Sequence, residues 1–163
     1  MGEIRTRVVL ENGSDVFLNT ERKLPKAKIR RVKTEAIVDT GAVMILLPQD
    51  FVEKLGLRKI RKAIVTLAND QKIELDLAGP LLLTIGDRQM TTDCLVGPPG
   101  CTPLLGQIVL ESLDLIPDPA KRTITPRPES PFLPTLNMKL GRHQSDSLAA
   151  CLERPPSAFM DRA

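Results

Sequence analysis

The sequence predicts an all-β fold, mainly antiparallel, with one or two short helices. Three observations lead there. The 163 residues hold four Phe and neither Tyr nor Trp, so Leu, Ile and Val must build the core, as in a compact β-rich domain. Apolar residues come in runs of strand length, several alternating with polar ones. Asn, Asp, Gly and Pro punctuate those runs where hairpin turns are needed.

Residues 4–10 (IRTRVVL) read as a first strand, ended by a turn at Asn12-Gly13-Ser14. Residues 15–30 are mixed, basic and carry Pro25, and read as a loop or insertion. Residues 31–38 alternate and then turn apolar, as a strand entering the core does. The apolar run 42–47 has strand length. Pro48 suits the start of a helix over 48–55, and Gly56 suits its end. Residues 59–67 and 71–77 form a hairpin around Asn69-Asp70, and 81–86 and 90–96 form another around Asp87-Arg88. A Gly/Pro loop at 96–100 precedes Leu104-Leu105-Gly106, a short helix over 107–113, and a closing hairpin of 114–117 and 122–125. From about residue 126 the prolines 126, 128, 131 and 134 block ladder and helix bonds. The domain is therefore expected over 1–127, with an extended arm and a weakly ordered tail over 128–163.

Composition narrows the function classes. Charged residues make up 26% and the net charge is +3, as in a soluble globular domain. The basic run from Arg22 to Lys33 reads as a solvated loop. A mild net charge and scarce aromatics argue against nucleic acid as partner. Cys94, Cys101 and Cys151 show no CxxC spacing, and His143 is the single His. No metal and no cofactor is expected, and the thiols read as small buried groups or free cysteines. The N-terminus has no apolar leader and no stretch has membrane-span length, so a cytoplasmic, soluble protein is expected, without a membrane partner.

Asp39 stands out. It follows Ala36-Ile37-Val38 and precedes Thr40-Gly41 and a second apolar run. A carboxylate between two apolar strands is costly unless it is stabilised or used. The setting predicts a loop held inside the core, with Thr40 offering a hydroxyl and Gly41 permitting close approach of another chain.

At these residues the chain resembles a known family. Ala36-Ile37-Val38-Asp39-Thr40-Gly41-Ala42 looks like the active-site segment of retropepsin-like aspartic proteases, here of cellular or bacterial type. Leu104-Leu105-Gly106, 65 positions after Asp39, matches a second family segment, with a hairpin between the two where the family carries its flap. The resemblance spans about residues 4–127. It implies an acid-protease half-barrel with one lobe per chain. Asp39 would be the catalytic carboxylate, and Thr40 would lock two loops together across a two-fold axis. Gly41 and Ala42 would support that loop. Leu104, Leu105 and Gly106 would serve as structural support and cleft wall, and Asn69, Asp70 and Gln71 as flap tip. The tip has no glycine, where viral members are glycine-rich, and Val43 and Met44 stand where several viral members carry acidic residues.

The chemistry implied needs two carboxylates, and the chain has one Asp-Thr-Gly. A homodimer would place Asp39 against its own image. The function implied is an aspartic endopeptidase acting on peptides or proteins, with apolar residues preferred beside the cut bond. The other reading is a weak or inactive dimerising or peptide-binding module with the same fold. The loose C-terminal segment is also a candidate for removal by the enzyme itself.

Overall fold

A computed structural model of the chain describes residues 3–135. Nine strands alternate with three short α-helices and one 3-10 turn: β1 (Arg5–Asn12), α1 (Gly13–Thr20), the 3-10 turn (Lys26–Lys28), β2 (Arg31–Val38), β3 (Leu46–Pro48), α2 (Gln49–Leu55), β4 (Arg58–Thr66), β5 (Lys72–Ile85), β6 (Arg88–Gly97), β7 (Leu104–Leu105), α3 (Gln107–Ser112), β8 (Leu115–Asp118) and β9 (Thr123–Pro126). Seven strands form one sheet in the order β1-β2-β7-β3-β6-β5-β4, and β1 also pairs with β5. That extra pairing closes six strands into a ring and leaves β4 outside as an edge strand. The β8–β9 hairpin stands apart. Antiparallel pairings dominate; β2–β7 and β3–β6 run parallel.

The core is aliphatic, as the residue counts required. Leu10, Ile45, Leu47, Leu55, Leu77, Leu81, Leu83, Leu105 and Leu113 are all essentially inaccessible. Cys94 lies among them, and its thiol is pushed up to about 12, mainly by burial and then by the Asp93 charge. It stays protonated and packs as a small apolar group. Cys101 is half-buried, while Cys151 and His143 lie outside the described residues.

Three stretches differ from the sequence expectation. The first is 13–20, expected as turn and loop, which is helix α1. Buried Asn12 caps it by accepting from the Asp15 amide at 3.1 Å. The Asn12 side-chain amide also donates to the Leu55 and Gly56 carbonyls, at 2.9 and 3.1 Å, at the C-terminal end of α2. One polar side chain thus satisfies two helix ends. Part of the basic run is likewise structural. Arg30 donates from Nε and Nη2 to both oxygens of buried Asp15, at 2.8 and 2.7 Å, and this pairing lowers the Asp15 pKa.

The second difference is 42–45, which is loop; of the apolar run 42–47 only Leu46 and Leu47 are strand, and β3 extends to Pro48, which was expected to start the helix. The Ala42 and Val43 carbonyls turn away from the sheet to meet α3. The third is 72–85, one long strand where two were expected. A register irregularity between Ala78 and Leu81 bends it, so that its first half pairs with β4 and its second half also pairs with β1.

The chain beyond β9 is fastened to the domain. Buried Arg88 donates to the Asp114 carbonyl at 2.9 Å and to the carbonyls of Leu113 and Ser130. The Asp114 carboxylate accepts from Arg127 Nε at 2.8 Å, from the Ser130 hydroxyl, and from the Thr135 amide at 3.2 Å. Those donors, the Ser130 hydroxyl first, hold the Asp114 pKa down at about 2.

Candidate active site

The site is a loop, Asp39–Ile45, between β2 and β3. β2 delivers it because its last residues pair in parallel with β7, Ile37 with Leu104 and Val38 with Leu105. β7 also meets β3 through Leu104 and Leu46. The two segments of interest, 39–42 and 104–106, are therefore joined by the sheet itself.

Backbone bonds then fix the loop from both sides. The Asp39 amide donates to the Leu105 carbonyl at 3.0 Å. The Gln107 and Ile108 amides donate to the Ala42 and Val43 carbonyls at 2.8 and 3.0 Å. Those amides belong to the first turn of α3, where no intrahelical acceptor exists, so the Asp39 loop caps the helix. Gly106 makes the approach possible. A Cβ there would lie 2.5 Å from the Met44 carbonyl oxygen and 2.6 Å from the Val43 carbonyl carbon. The sequence marked Gly106, but not the two amides behind it; a glycine immediately before a helix start was the available signal.

The Asp39 carboxylate is half-buried, and its Oδ1 accepts from the Gly41 amide at 2.9 Å. Thr40 and Gly41 are exposed, Ala42 is half-buried, and Val43 is 64% exposed. The expected interior loop is thus interior at its base only; its tip faces out. Among the described residues nothing packs over that tip, so the apolar neighbours that flag burial in the sequence are the strands supporting it from behind. Leu105 and Gly106 are buried and Leu104 is half-buried. They brace the loop rather than face solvent.

The hairpin of β4 and β5 carries Asn69, Asp70 and Gln71 at its exposed tip. The missing glycine is replaced by Asp70, whose φ is +60°. Asp tolerates that left-handed conformation better than most residues. The Asp70 amide donates to the Leu67 carbonyl at 3.0 Å, and Leu67 closes the loop on the Gln71 carbonyl at 2.8 Å. The Asn69 side chain accepts from the Gln71 amide at 3.1 Å. This is a three-residue hairpin loop ending in a left-handed residue. Val65, Ala63 and Ile73 are half-buried, and Ile60 and Ile64 are 54% and 73% exposed.

Two surface clefts, of about 270 and 490 Å³, are lined by other residues. The smaller has Lys59, Lys62, Glu74 and Asp76 on its wall, the larger Leu110, Asp114, Leu115 and Arg127; Asp39 lines neither. Among the described residues no helix is long and apolar enough to cross a membrane.

Comparison with known proteins gives one family. Residues 26–112, more than half of the chain, match the family described as "gag-polyprotein putative aspartyl protease". The match contains the Asp39 loop, the β4–β5 hairpin and Leu104-Leu105-Gly106. Among solved structures the chain is similar to EIAV protease complexed with the inhibitor HBY-793, at 17% identity and a TM-score of 0.47, over 69% of this chain and 88% of that one. No curated protein matches the sequence.

Proposed function

The chain belongs to the gag-polyprotein aspartyl protease family, and on that premise we propose that it is an aspartic endopeptidase whose active site forms between two copies. One observation carries the reading. Asp39 sits on a loop whose backbone is fixed by Leu105, Gln107 and Ile108, yet whose tip, Thr40-Gly41, is uncovered. A tip so held and so exposed suits contact with its own image across a two-fold axis, with the Thr40 hydroxyls crossing between loops.

In that arrangement two Asp39 carboxylates face each other. Like charges at contact cannot both ionise, so the pair shares one proton. The ionised member takes a proton from water as the water oxygen attacks the scissile carbonyl carbon. The protonated member gives its proton to the carbonyl oxygen. Collapse of the resulting gem-diol breaks the C–N bond as a carboxyl proton passes to the leaving nitrogen. No acyl-enzyme forms. The Gly41 amide on Oδ1 orients each carboxylate and leaves its other oxygen for this exchange.

The β4–β5 hairpin is the lid in this reading. Its Ile60, Ile64 and Leu67 are exposed apolar groups, as is Val43 on the loop. These groups favour an extended peptide with apolar side chains beside the cut bond. The test is a peptide-library cleavage assay on the wild type and Asp39→Asn, with a statine-type transition-state mimic as inhibitor. Cleavage by the wild type alone, blocked by the mimic, supports the proposal; equal cleavage by both proteins removes it. Binding of library peptides without cleavage by either protein would favour a peptide-binding module.

A further inference from the structure

Two exposed Phe-Leu pairs occur among the described residues. Phe17 and Leu18 are 63% and 37% exposed, and Phe132 and Leu133 are 85% and 77% exposed. They differ in where the fold puts them. Phe17-Leu18 lies on α1, tied by Asp15 to Arg30 at the start of β2. From Arg31 to Val38 that strand runs about 23 Å before it delivers Asp39. The first pair therefore sits at the strand end opposite the active-site loop.

Phe132-Leu133 is placed otherwise. It forms the centre of a short irregular loop between Pro131 and Pro134. Both ends of that loop hang on one carboxylate oxygen: the Ser130 hydroxyl and the Thr135 amide each donate to Asp114 Oδ2. Arg127 occupies Oδ1, and Arg88 holds the Ser130 carbonyl. Asp114 in turn follows α3, whose six residues span about 9 Å and whose first amides hold the Asp39 loop. One short helix thus connects the loop that must meet a second copy to a fastened, outward-facing apolar tip.

The area a dimer requires points the same way. A stable interface covers about 800 Å² on each partner. The exposed tip of the active-site loop, Thr40, Gly41 and Val43, is too small to supply it. Apolar groups held at a fixed position, with little ordering left to do on contact, are what such an interface gains most from.

We propose that the Pro131–Pro134 loop is a docking element of the homodimer, with Phe132 and Leu133 burying themselves against the second copy of this chain. The proposal rests on the two-copy active site above. Its function is to hold the Asp39 loops together, and it touches no reacting atom.

The experiment is sedimentation equilibrium of the full chain beside activity measured across enzyme concentration, for the wild type, Phe132→Ser/Leu133→Ser and Phe17→Ser/Leu18→Ser. The expected result is at least a tenfold rise in the dimer dissociation constant for the 132/133 variant only. Its activity should fall at low enzyme concentration and return to the wild-type value at high concentration. An unchanged dissociation constant, or activity lost equally at all concentrations, would overturn the proposal. A wild type that stays monomeric while cleaving peptides would instead defeat the two-copy reading beneath it.

Discussion

The Asp39 loop and the β4–β5 hairpin are held in opposite ways. Asp39–Val43 has its backbone bonded to two other segments, β7 and the first turn of α3, and Gly106 behind it has no room for a Cβ. The outer half of the hairpin is held by the β4–β5 ladder and by its own turn. Of Lys72–Asp76 none is buried, whereas Leu77–Gly79 and Leu81 in the inner half of the same strand are. Elements with few buried contacts open at low free-energy cost, while a loop woven into a core does not. A protease of this type needs both: a fixed pair of carboxylates and a lid that admits a peptide.

The contrast can be broken hardest at Asp39. Asp39→Asn is isosteric and should lower kcat by at least about 10³-fold with no change of Tm, since general acid–base groups of this kind carry factors of that order. A parallel kinetic and thermal measurement checks both halves of that statement. Next comes Gly106→Ala. The added carbon meets the Met44 and Val43 backbone, so the loop must move, at a cost of about 1–3 kcal/mol in stability together with most of the activity. Denaturant unfolding and kcat/KM should fall together.

On the β4–β5 hairpin the effects should be smaller and separable. Asp70→Val forces a β-branched residue into φ +60°, costing about 1–2 kcal/mol, and should raise KM more than it lowers kcat. Asp70→Gly accepts the same conformation and should change stability by less than about 0.5 kcal/mol. If Asp70→Val lowered kcat as strongly as Gly106→Ala, the two regions would not be mechanically distinct.

The smallest expected effect concerns pH. Asp114 is held at about 2, below the ordinary carboxylate value of 3.8. A depressed carboxylate contributes its full share above the unfolded value and loses it as pH falls through the folded one. The fastening of residues 127–135 should therefore persist from neutral pH to about 4 and weaken between about 4 and 2. Asp114→Asn should remove that step from an acid titration followed by hydrogen exchange at Thr135.

Much of this was legible in the sequence because the signals were local. The aliphatic core, the αL glycine at Gly56 and the turn at Asn69-Asp70 follow from residue type and spacing, while the link between Asp39-Thr40-Gly41 and Leu104-Leu105-Gly106 came from the family resemblance. What escaped depended on partners distant in sequence. Asn12 reads as a turn residue because its bonds to Leu55 and Gly56 are 43 and 44 positions away. Residues 42–45 read as strand because their apolarity is visible, while the helix that claims their carbonyls is not. Arg88 reads as half of a hairpin turn; nothing local shows that it binds Ser130, 42 positions on. The exposure of the Asp39 tip was hidden for a related reason: apolar flanks report a supporting strand, not which side of it is open.

In the proposed two-copy enzyme Asp39 is half of a site. The direct measurement is peptidase activity in mixtures of wild-type and Asp39→Asn chains, equilibrated at constant total concentration well above the dimer dissociation constant. If each site needs two Asp39 carboxylates from two copies, activity will follow the square of the wild-type fraction, falling to a quarter at equal mixture. Activity proportional to the wild-type fraction would show that one Asp39 suffices, and would contradict the dyad.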